Sequence, residues 1–471
     1  MFLRVLLAGT VGIGATLATL RLPAAVADEA VQQASATDAP TDAPSAAATT
    51  AEPSSPQAPA GDASAAHPTH KQSALVEING EGRAEATVKC FCVAQGTKLL
   101  AGCDGATNEL RVFDASGAFL ESIEATVTPE AINIAPDGSI LVAGDGKLLR
   151  LSADGAVLAE GVAPHAAAMR ENRQEIREEV ISAHKQQSES LPQMLAAYDQ
   201  AIQGIEEQLE QLAEAEDSAA QRATLQEQIE LYKSAKDQMA EQYGGQDQSA
   251  ELTEEKIEEL VDQAISYKSA VASISATDEA VFIATRTAVG YGYDVWRLTP
   301  EFGDAEKIVT GLSGCCGQMD VQACAEGIFV AENSRHRVSR YDAAGELVGT
   351  FGQKDEGVHG FGSCCNPMNL AFGAGGVVYT AEDTTGRIKR YTADGKLLSV
   401  VGAADVVPGC KKVAIGVDAT GDQVFMLDIT RNQIAVLSRV SPDPTGPIVD
   451  PPTEEAAGAG GGLLRLLGIG G

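Results

Sequence analysis

The sequence predicts an all-β six-bladed propeller with a long α-helical, antiparallel coiled-coil insertion between blades 2 and 3. Three observations predict it: a strand–turn–strand layout that recurs six times, a switch from two-residue to three- and four-residue apolar spacing over residues 163–268, and an isolated apolar stretch just ahead of the first repeat. Hairpins repeated on one layout build sheets that cannot bury both faces alone. Stacking them in a ring buries those faces and removes long exposed edges.

The six repeats cover residues 88–102, 130–144, 269–285, 319–332, 368–382 and 412–428. In each, an apolar strand meets a turn containing Gly or Asp, and a second apolar strand ends in a small or acidic residue. Second turns follow at 114–117, 153–155, 342–345 and 393–395. Gly supplies the positive φ of such turns and Asp caps them locally. Residues 111–113, 337–341 and 387–391 alternate as half-buried strands should. Residues 74–78 are placed to complete the last blade by pairing with a strand from the far end of the chain.

Organisation along the chain follows from composition. Residues 1–27 have the parts of a secretory signal: Arg4, an apolar run from Val5 to Leu20, and small residues at Ala25 and Ala27. The run is shorter than the roughly 20 residues a spanning helix needs, so no membrane span is expected after cleavage. The chain is therefore expected to be exported, periplasmic or secreted. Residues 28–72 are an Ala/Pro/Ser-rich linker, 73–162 hold blades 1 and 2 with the closing strand, 163–268 the helical insertion, 269–440 blades 3 to 6, and 441–471 a disordered tail. Linker and tail carry too little apolar surface to offset chain entropy.

Residues 333–342 (NSRHRVSRYD) and, more loosely, 385–391 (TGRIKRY) resemble the Asn-His-Arg-Val stretch of NHL repeats. Cys364-Cys365-Asn366-Pro367 and Thr380-Ala381-Glu382 are similar to segments of exported bacterial NHL-like proteins with paired cysteines. The resemblance spans roughly 75–160 and 266–440. It implies a six-bladed propeller used as a platform for protein or RNA binding, with a few relatives acting as metal-dependent lyases or esterases. In this resemblance His336 is a structural repeat residue.

Within the insertion, Leu195, Tyr198, Ile202, Ile205, Leu209 and Leu212 recur at three- and four-residue spacing, as do Leu225, Ile229, Tyr232, Lys236, Met239 and Tyr243. That is a coiled-coil seam. Asp217 and Ser218 read as N-caps beyond a tip near 213–218. Pro192 and Gly244-Gly245 read as breaks flanking the hairpin, with shorter helices over about 165–190 and 253–268. Acidic side chains outnumber basic ones by more than two to one here. The arm is either a solvated face or a surface for a partner or for self-association.

The formal net charge is −32. Binding to a phosphate backbone needs Lys and Arg in excess, so nucleic acid is not an expected partner. A protein or glycan partner is. Only 4% of residues are aromatic, so the core must rest on Val, Ile, Leu and Ala.

Propeller topology places the loops into innermost strands, and the ends of second strands, on one face. Cys315, Cys316, Cys364, Cys365 and Cys410 fall in those loops, with His359 just ahead of Cys364 and the insertion in the same class of loop. Asp104, Asp145, Glu332, Glu382 and Asp428 follow second strands. They are read as carboxylates facing water around the channel mouth, where they are also candidates for a divalent cation, Ca²⁺ by charge or Zn²⁺ with the cysteines. Three readings stay open for the cysteines: disulfides across neighbouring blades, for which Cys316 and Cys365 sit in matching loops, a thiolate metal site, or redox-active thiols. Cys103 is placed so that it could approach Cys90, on whose side Cys92 also points, but these cysteines are read first as small buried hydrophobes; Cys324 and Trp296 are read as packing. No nucleophile elbow, phosphate loop or zincin motif is present. The function expected is a binding or scaffold module for a protein, glycan or small ligand. The alternative is a metal-dependent lyase or hydrolase at the channel mouth.

Overall fold

The computed structural model describes residues 68–440 except 81, 95, 213–218, 245–251 and 316. The expected signal peptide, most of the linker, the helical tip at 213–218, Gly245, Cys316 and the tail 441–471 lie outside the described residues. The fold begins a little earlier than expected. β1 (His70–Glu77) takes three residues from the predicted linker, because Thr69 and His70 are buried and His70 Nε2 donates to the Gly421 carbonyl at 2.9 Å.

Six antiparallel sheets of four strands follow. β2 (Ala86–Ala94), β3 (Lys98–Gly105), β4 (Glu109–Phe113) and β5 (Phe119–Glu124) form the first. β6 (Ala131–Ile134), β7 (Ile140–Gly144), β8 (Lys147–Leu151) and β9 (Val157–Val162) form the second. Beyond the helices come β10 (Val271–Ala276), β11 (Val281–Arg286), β12 (Tyr293–Leu298) and β13 (Glu306–Leu312). The fourth sheet holds β14 (Asp320–Cys324), β15 (Gly327–Glu332), β16 (Arg337–Tyr341) and β17 (Leu347–Phe351). The fifth holds β18 (Asn369–Phe372), β19 (Val378–Ala381), β20 (Arg387–Tyr391) and β21 (Leu397–Ala403). The sixth is assembled from both ends of the folded region: β22 (Ile415–Val417), β23 (Gln423–Asp428) and β24 (Gln433–Arg439), with β1 on the outside. All six predicted hairpins are present. Each first strand lies beside the first strand of the next sheet, and β22 lies beside β2, which makes the fold propeller-like.

Local chemistry sets the turns. Asp114 Oδ1 accepts from the amides of Ser116 and Ala118, and Asp342 Oδ1 does the same for Ala344 and Glu346. Gly117 and Gly345 close these turns at φ 87° and 88°, where a Cβ is strained. The core lies between sheets. Val76, Phe425 and Val436 of the sixth sheet pack on Val88, Leu99 and Phe113 of the first. Burying each such side chain contributes about 1.5–3 kcal/mol.

Between β9 and β10 run α1 (Pro164–Glu171), α2 (Arg173–Gln211), α3 (Ala219–Gly244) and α4 (Glu254–Lys268). α2 packs on both α3 and α4. Ile202 and Ile229 of the expected seam are buried, and Tyr198 meets Tyr232 edge to face at 6.1 Å. Pro192 does not break the helix; it lies inside the 39-residue α2. Pro192 stands on the exposed side of the helix, while its neighbour Leu191 is buried. Met169, Ile176, Ile257, Val261 and Ala264 form the base. Arg173 and Arg177 of α2 bridge to Glu258, Asp262 and Glu254 of α4. Among the described residues no helix is long and apolar enough to cross a membrane.

His165 of α1 ties this base to the sheets. Its Nε2 donates to the Ser269 carbonyl at 2.8 Å, and burial pushes the ring down to about 4. The folded chain holds it neutral, while the unfolded chain protonates it near 6.5. Its contribution is therefore complete above about pH 6.5 and is lost as pH falls toward 4. We expect wild type to lose about 2 kcal/mol more than His165→Gln between pH 7 and pH 5. Urea unfolding of both proteins at the two pH values measures this, and equal losses would rule it out.

Candidate functional site

Antiparallel pairing puts the start of each first strand and the end of each second strand at the same end of the ring. The helices enter at this end, between β9 and β10, and so do the cysteine loops. Arg286 links the two: Nη1 donates to the Tyr267 carbonyl in α4 and Nη2 to the Gly317 carbonyl in the loop before β14.

Three of the five candidate cysteines are brought together. Cys364, Cys365 and Cys410 have Sγ atoms 3.1 Å (364–365), 2.8 Å (364–410) and 3.2 Å (365–410) apart. Cys365 is buried, Cys410 half-buried and Cys364 exposed. Asn366 fixes the loop, donating to the Gly362 carbonyl at 2.9 Å and accepting from the Asp383 amide at 3.0 Å. Asp383 Oδ2 lies 3.8 Å from Cys365 Sγ, and burial raises the Asp383 carboxyl. Cys315 borders the same apolar cluster as Cys365 and Cys410. Its amide donates to Asn333 Oδ1 at 2.7 Å, so the Asn of the NHL-like stretch positions this loop. Among the described residues no two cysteines are joined by a disulfide. Cys316, the other half of the expected cross-blade link, lies outside them.

Three of the five ring carboxylates are committed to groups of the chain itself. Glu332 is buried and receives Arg337 (2.7 Å) and Ser339 (2.5 Å), with Arg335 3.1 Å away. Glu382 is buried against Arg387 at 2.6 Å and the fully buried Lys389 at 3.0 Å. Asp428 Oδ1 accepts from the Thr430 amide, its Oδ2 from the Val407 amide, and Arg431 stands 3.5 Å off. These carboxylates were expected to face water. They are instead turned inward because a basic residue follows each within five positions on the next strand or turn. Asp104 is half-buried and paired with Lys89, and Asp145 is exposed and accepts from the Thr128 amide.

His359 is exposed and apart from the thiols' hydrogen bonds. His336 closes the turn before β16 at φ 54°. Cys103 does not meet Cys90. Cys103 packs between the sixth and first sheets, whereas Cys90 and Cys92 pack between the first and second. Burial pushes Cys90 up to about 11 and Cys103 to about 12, so both behave as small hydrophobes. Cys324 does not plug the core: it is half-buried beside Glu326, at the edge of a cavity. Trp296 packs as expected, its indole donating to Thr285.

That cavity, about 1060 Å³, lies inside the ring and is lined by first strands from all six sheets. It extends to Asp278, Glu279 and Glu326 in the hairpins between first and second strands. It therefore reaches the end opposite the cysteines, not the face expected to bind. At the cysteine end the ring is bridged instead. Lys412 Nζ donates to the Glu130 carbonyl at 2.6 Å, and Gln318 Nε2 to the Val413 carbonyl at 2.8 Å.

Polar side chains converge in the cavity, Asn133, Ser273, Asp320, Gln322 and Lys412 among them. Asn133 Nδ2 donates to Gln322 Oε1 at 3.0 Å, and Gln322 Nε2 to Asp320 Oδ1 at 3.1 Å. Asp320 also accepts from Ser273 at 2.6 Å and from the Leu370 amide at 2.7 Å. Burial raises Asp320 and lowers Lys412, and pushes Glu130 up to about 7. Sequence reasoning missed this set. Its signal was Asp320 and Gln322 two apart on an otherwise apolar inner strand, which puts both on one face.

Neither a protein-family model nor a curated protein matches the sequence. Among solved structures, virginiamycin B lyase from Staphylococcus aureus is 12% identical, over 78% of this chain and 99% of that one, with a TM-score of 0.36. A gluconolactonase of Xanthomonas campestris is 11% identical over 80% and 99%, TM-score 0.37. The WD40 domain of Neurospora crassa Pan2 is 8% identical over 79% and 96%, TM-score 0.37.

The buried Glu382 trio gives a direct check of its structural role. Glu382→Gln leaves Lys389 without its counter-charge and is expected to cost about 3–5 kcal/mol in chemical unfolding. Excess Ca²⁺ is expected to leave the wild-type unfolding midpoint unchanged. A calcium-dependent rise abolished by Glu382→Gln would restore the cation-site reading.

Proposed function

We propose that the chain is an exported, six-bladed NHL-type propeller that acts as a binding module, with a small polar ligand received in its central cavity. The observation that carries this is the convergence of Lys412, Asp320, Gln322 and Asn133 inside a cavity of about 1060 Å³, a size that suits a small molecule. Asp320 has both oxygens committed to hydrogen bonds, which makes it a fixed positioning group. Lys412 spends one hydrogen bond on the Glu130 carbonyl among the described residues, so its ammonium keeps donors for a ligand. A ligand bearing a carboxylate or carbonyl oxygen fits this chemistry.

The acidic helical arm, at the opposite end, serves a protein partner in this reading. A metal-dependent lyase or hydrolase at the channel mouth is less well supported, because Glu332, Glu382 and Asp428 are committed to cations and backbone amides of the chain itself. Export rests on residues 1–27 of the sequence and places the mature terminus at Asp28.

A thermal-shift screen of small organic acids, with the secreted mature protein, tests the binding reading. Hits are expected to stabilise wild type and to lose roughly ten- to a hundredfold in affinity in Lys412→Met, the worth of one charge-assisted hydrogen bond of about 1.5–3 kcal/mol. Hits that bind Lys412→Met and Gln322→Ala as well as wild type would sink the cavity as the site.

A further inference from the structure

We infer that Cys364, Cys365 and Cys410 form a thiolate site for one soft, thiophilic d¹⁰ metal ion, Zn²⁺ or Cu⁺. Three sulfurs from two successive loops stand in a nearly equilateral triangle, 2.8–3.2 Å on a side. A disulfide selects one pair, draws it to about 2.05 Å and leaves the third sulfur aside. Three sulfurs gathered within 3.2 Å of one another instead offer a single ion three donors at once. Sulfurs around a tetrahedral ion with Zn–S near 2.3 Å lie about 3.8 Å apart, so the triangle opens by only about 0.7 Å on loading, within reach of small side-chain rotations. Vicinal Cys364 and Cys365 disfavour bonding each other on geometric grounds, whereas two adjacent thiolates can ligate one metal.

The surroundings suit a held ion. Cys365 and Cys410 border an apolar cluster that includes Met368, Val406 and Val413, which keeps one side of the triangle dry. Cys364 is exposed and opens the other side to arriving metal. The Asn366 side chain ties the Gly362 carbonyl, two residues before Cys364, to the Asp383 amide and so fixes the cysteine loop. Sulfur donors in this number select Zn²⁺ and Cu⁺ over the hard ions that oxygen sites take. Binding makes three metal–sulfur bonds and releases three thiol protons to solvent, with no change of oxidation state.

The test uses the full mature chain purified anaerobically under reductant. It is titrated separately with Zn²⁺ and with Cu⁺ against a chromophoric chelator, and Cd²⁺ reports thiolate-to-metal charge-transfer absorption. One equivalent per chain is expected, with three thiols protected from alkylation, and at least tenfold weaker binding in Cys364→Ser and in Cys410→Ser. Cys324→Ser, remote from the triangle, is expected to bind as wild type does. Cys364 is exposed, so its variant should fold; matching circular dichroism and unfolding midpoints check this. The two titrations decide between the ions. Metal binding untouched by Cys364→Ser and Cys410→Ser, or a native Cys364–Cys410 disulfide in peptide maps of the exported protein, would overturn the site. Neither outcome bears on ligand binding by the cavity, which Lys412→Met reports separately.

Discussion

Pairing of β1 with β24 is the constraint on which the other features depend. Ala74 faces Val436 and Val76 faces Ile434 in that register, so the sixth sheet exists only when residues more than 350 apart in sequence meet. Arg111 secures the join from the neighbouring sheet: its guanidinium donates to the Ile78 and Ala84 carbonyls and to Asn79 Oδ1 while pairing with Glu109. A buried guanidinium with three of its hydrogen bonds to the crossing between β1 and β2 ties the first sheet to the closing strand. Half of its bonds cannot be surrendered without leaving a buried charge unsatisfied. Ring closure in turn brings β22 beside β2 and gives the cavity its last wall.

A net charge of −32 invites the view that acidic residues are surplus. The structure divides them into two populations. Along the helices they are exposed and pair with arginines across α2 and α4, where each ion pair contributes little. At the ends of β15 and β19 they are buried and matched by arginine, lysine and serine. The buried group sets geometry: Glu332 lies opposite Arg337 in the ladder and Glu382 closes the turn into Arg387. Composition reports the sum of the two populations and cannot separate them.

The fold was largely legible and the site only in part. Hairpins were readable because period-two apolar spacing and Asp–Gly turns are local, and both act over fewer than ten residues. The helical seam was readable for the same reason. Pro192 was misjudged because its tolerance depends on which side of α2 meets solvent, a tertiary fact. Glu332, Glu382 and Asp428 were placed correctly at strand ends but assigned to water, since their partners are recognised only once strand register is known. The sequence places Cys364, Cys365 and Cys410 in loops on one face, but which of the five loop cysteines meet depends on the packing of successive sheets. Lys412 was passed over because a lysine at a strand start normally faces solvent; here the bridge to Glu130 across the ring holds it inside.

These observations separate the two ends of the ring by chemistry. At one end, loops carry thiols, the helices enter, and Lys412 and Gln318 bridge the ring with hydrogen bonds. At the other, the cavity meets tight hairpins whose exposed residues are acidic, among them Asp278, Glu279 and Glu326. In the proposed binding role, an anionic ligand entering from the hairpins would meet these acidic residues before the ammonium of Lys412, so the hairpin end would disfavour highly charged anions. The low effective dielectric of a confined cavity strengthens both effects. Selectivity for charge then arises from rim and floor acting in opposite senses. Lys412 and Gln318 cross the ring at the other end, so in the proposed role a ligand is met from the hairpins and the cysteine loops act apart from it.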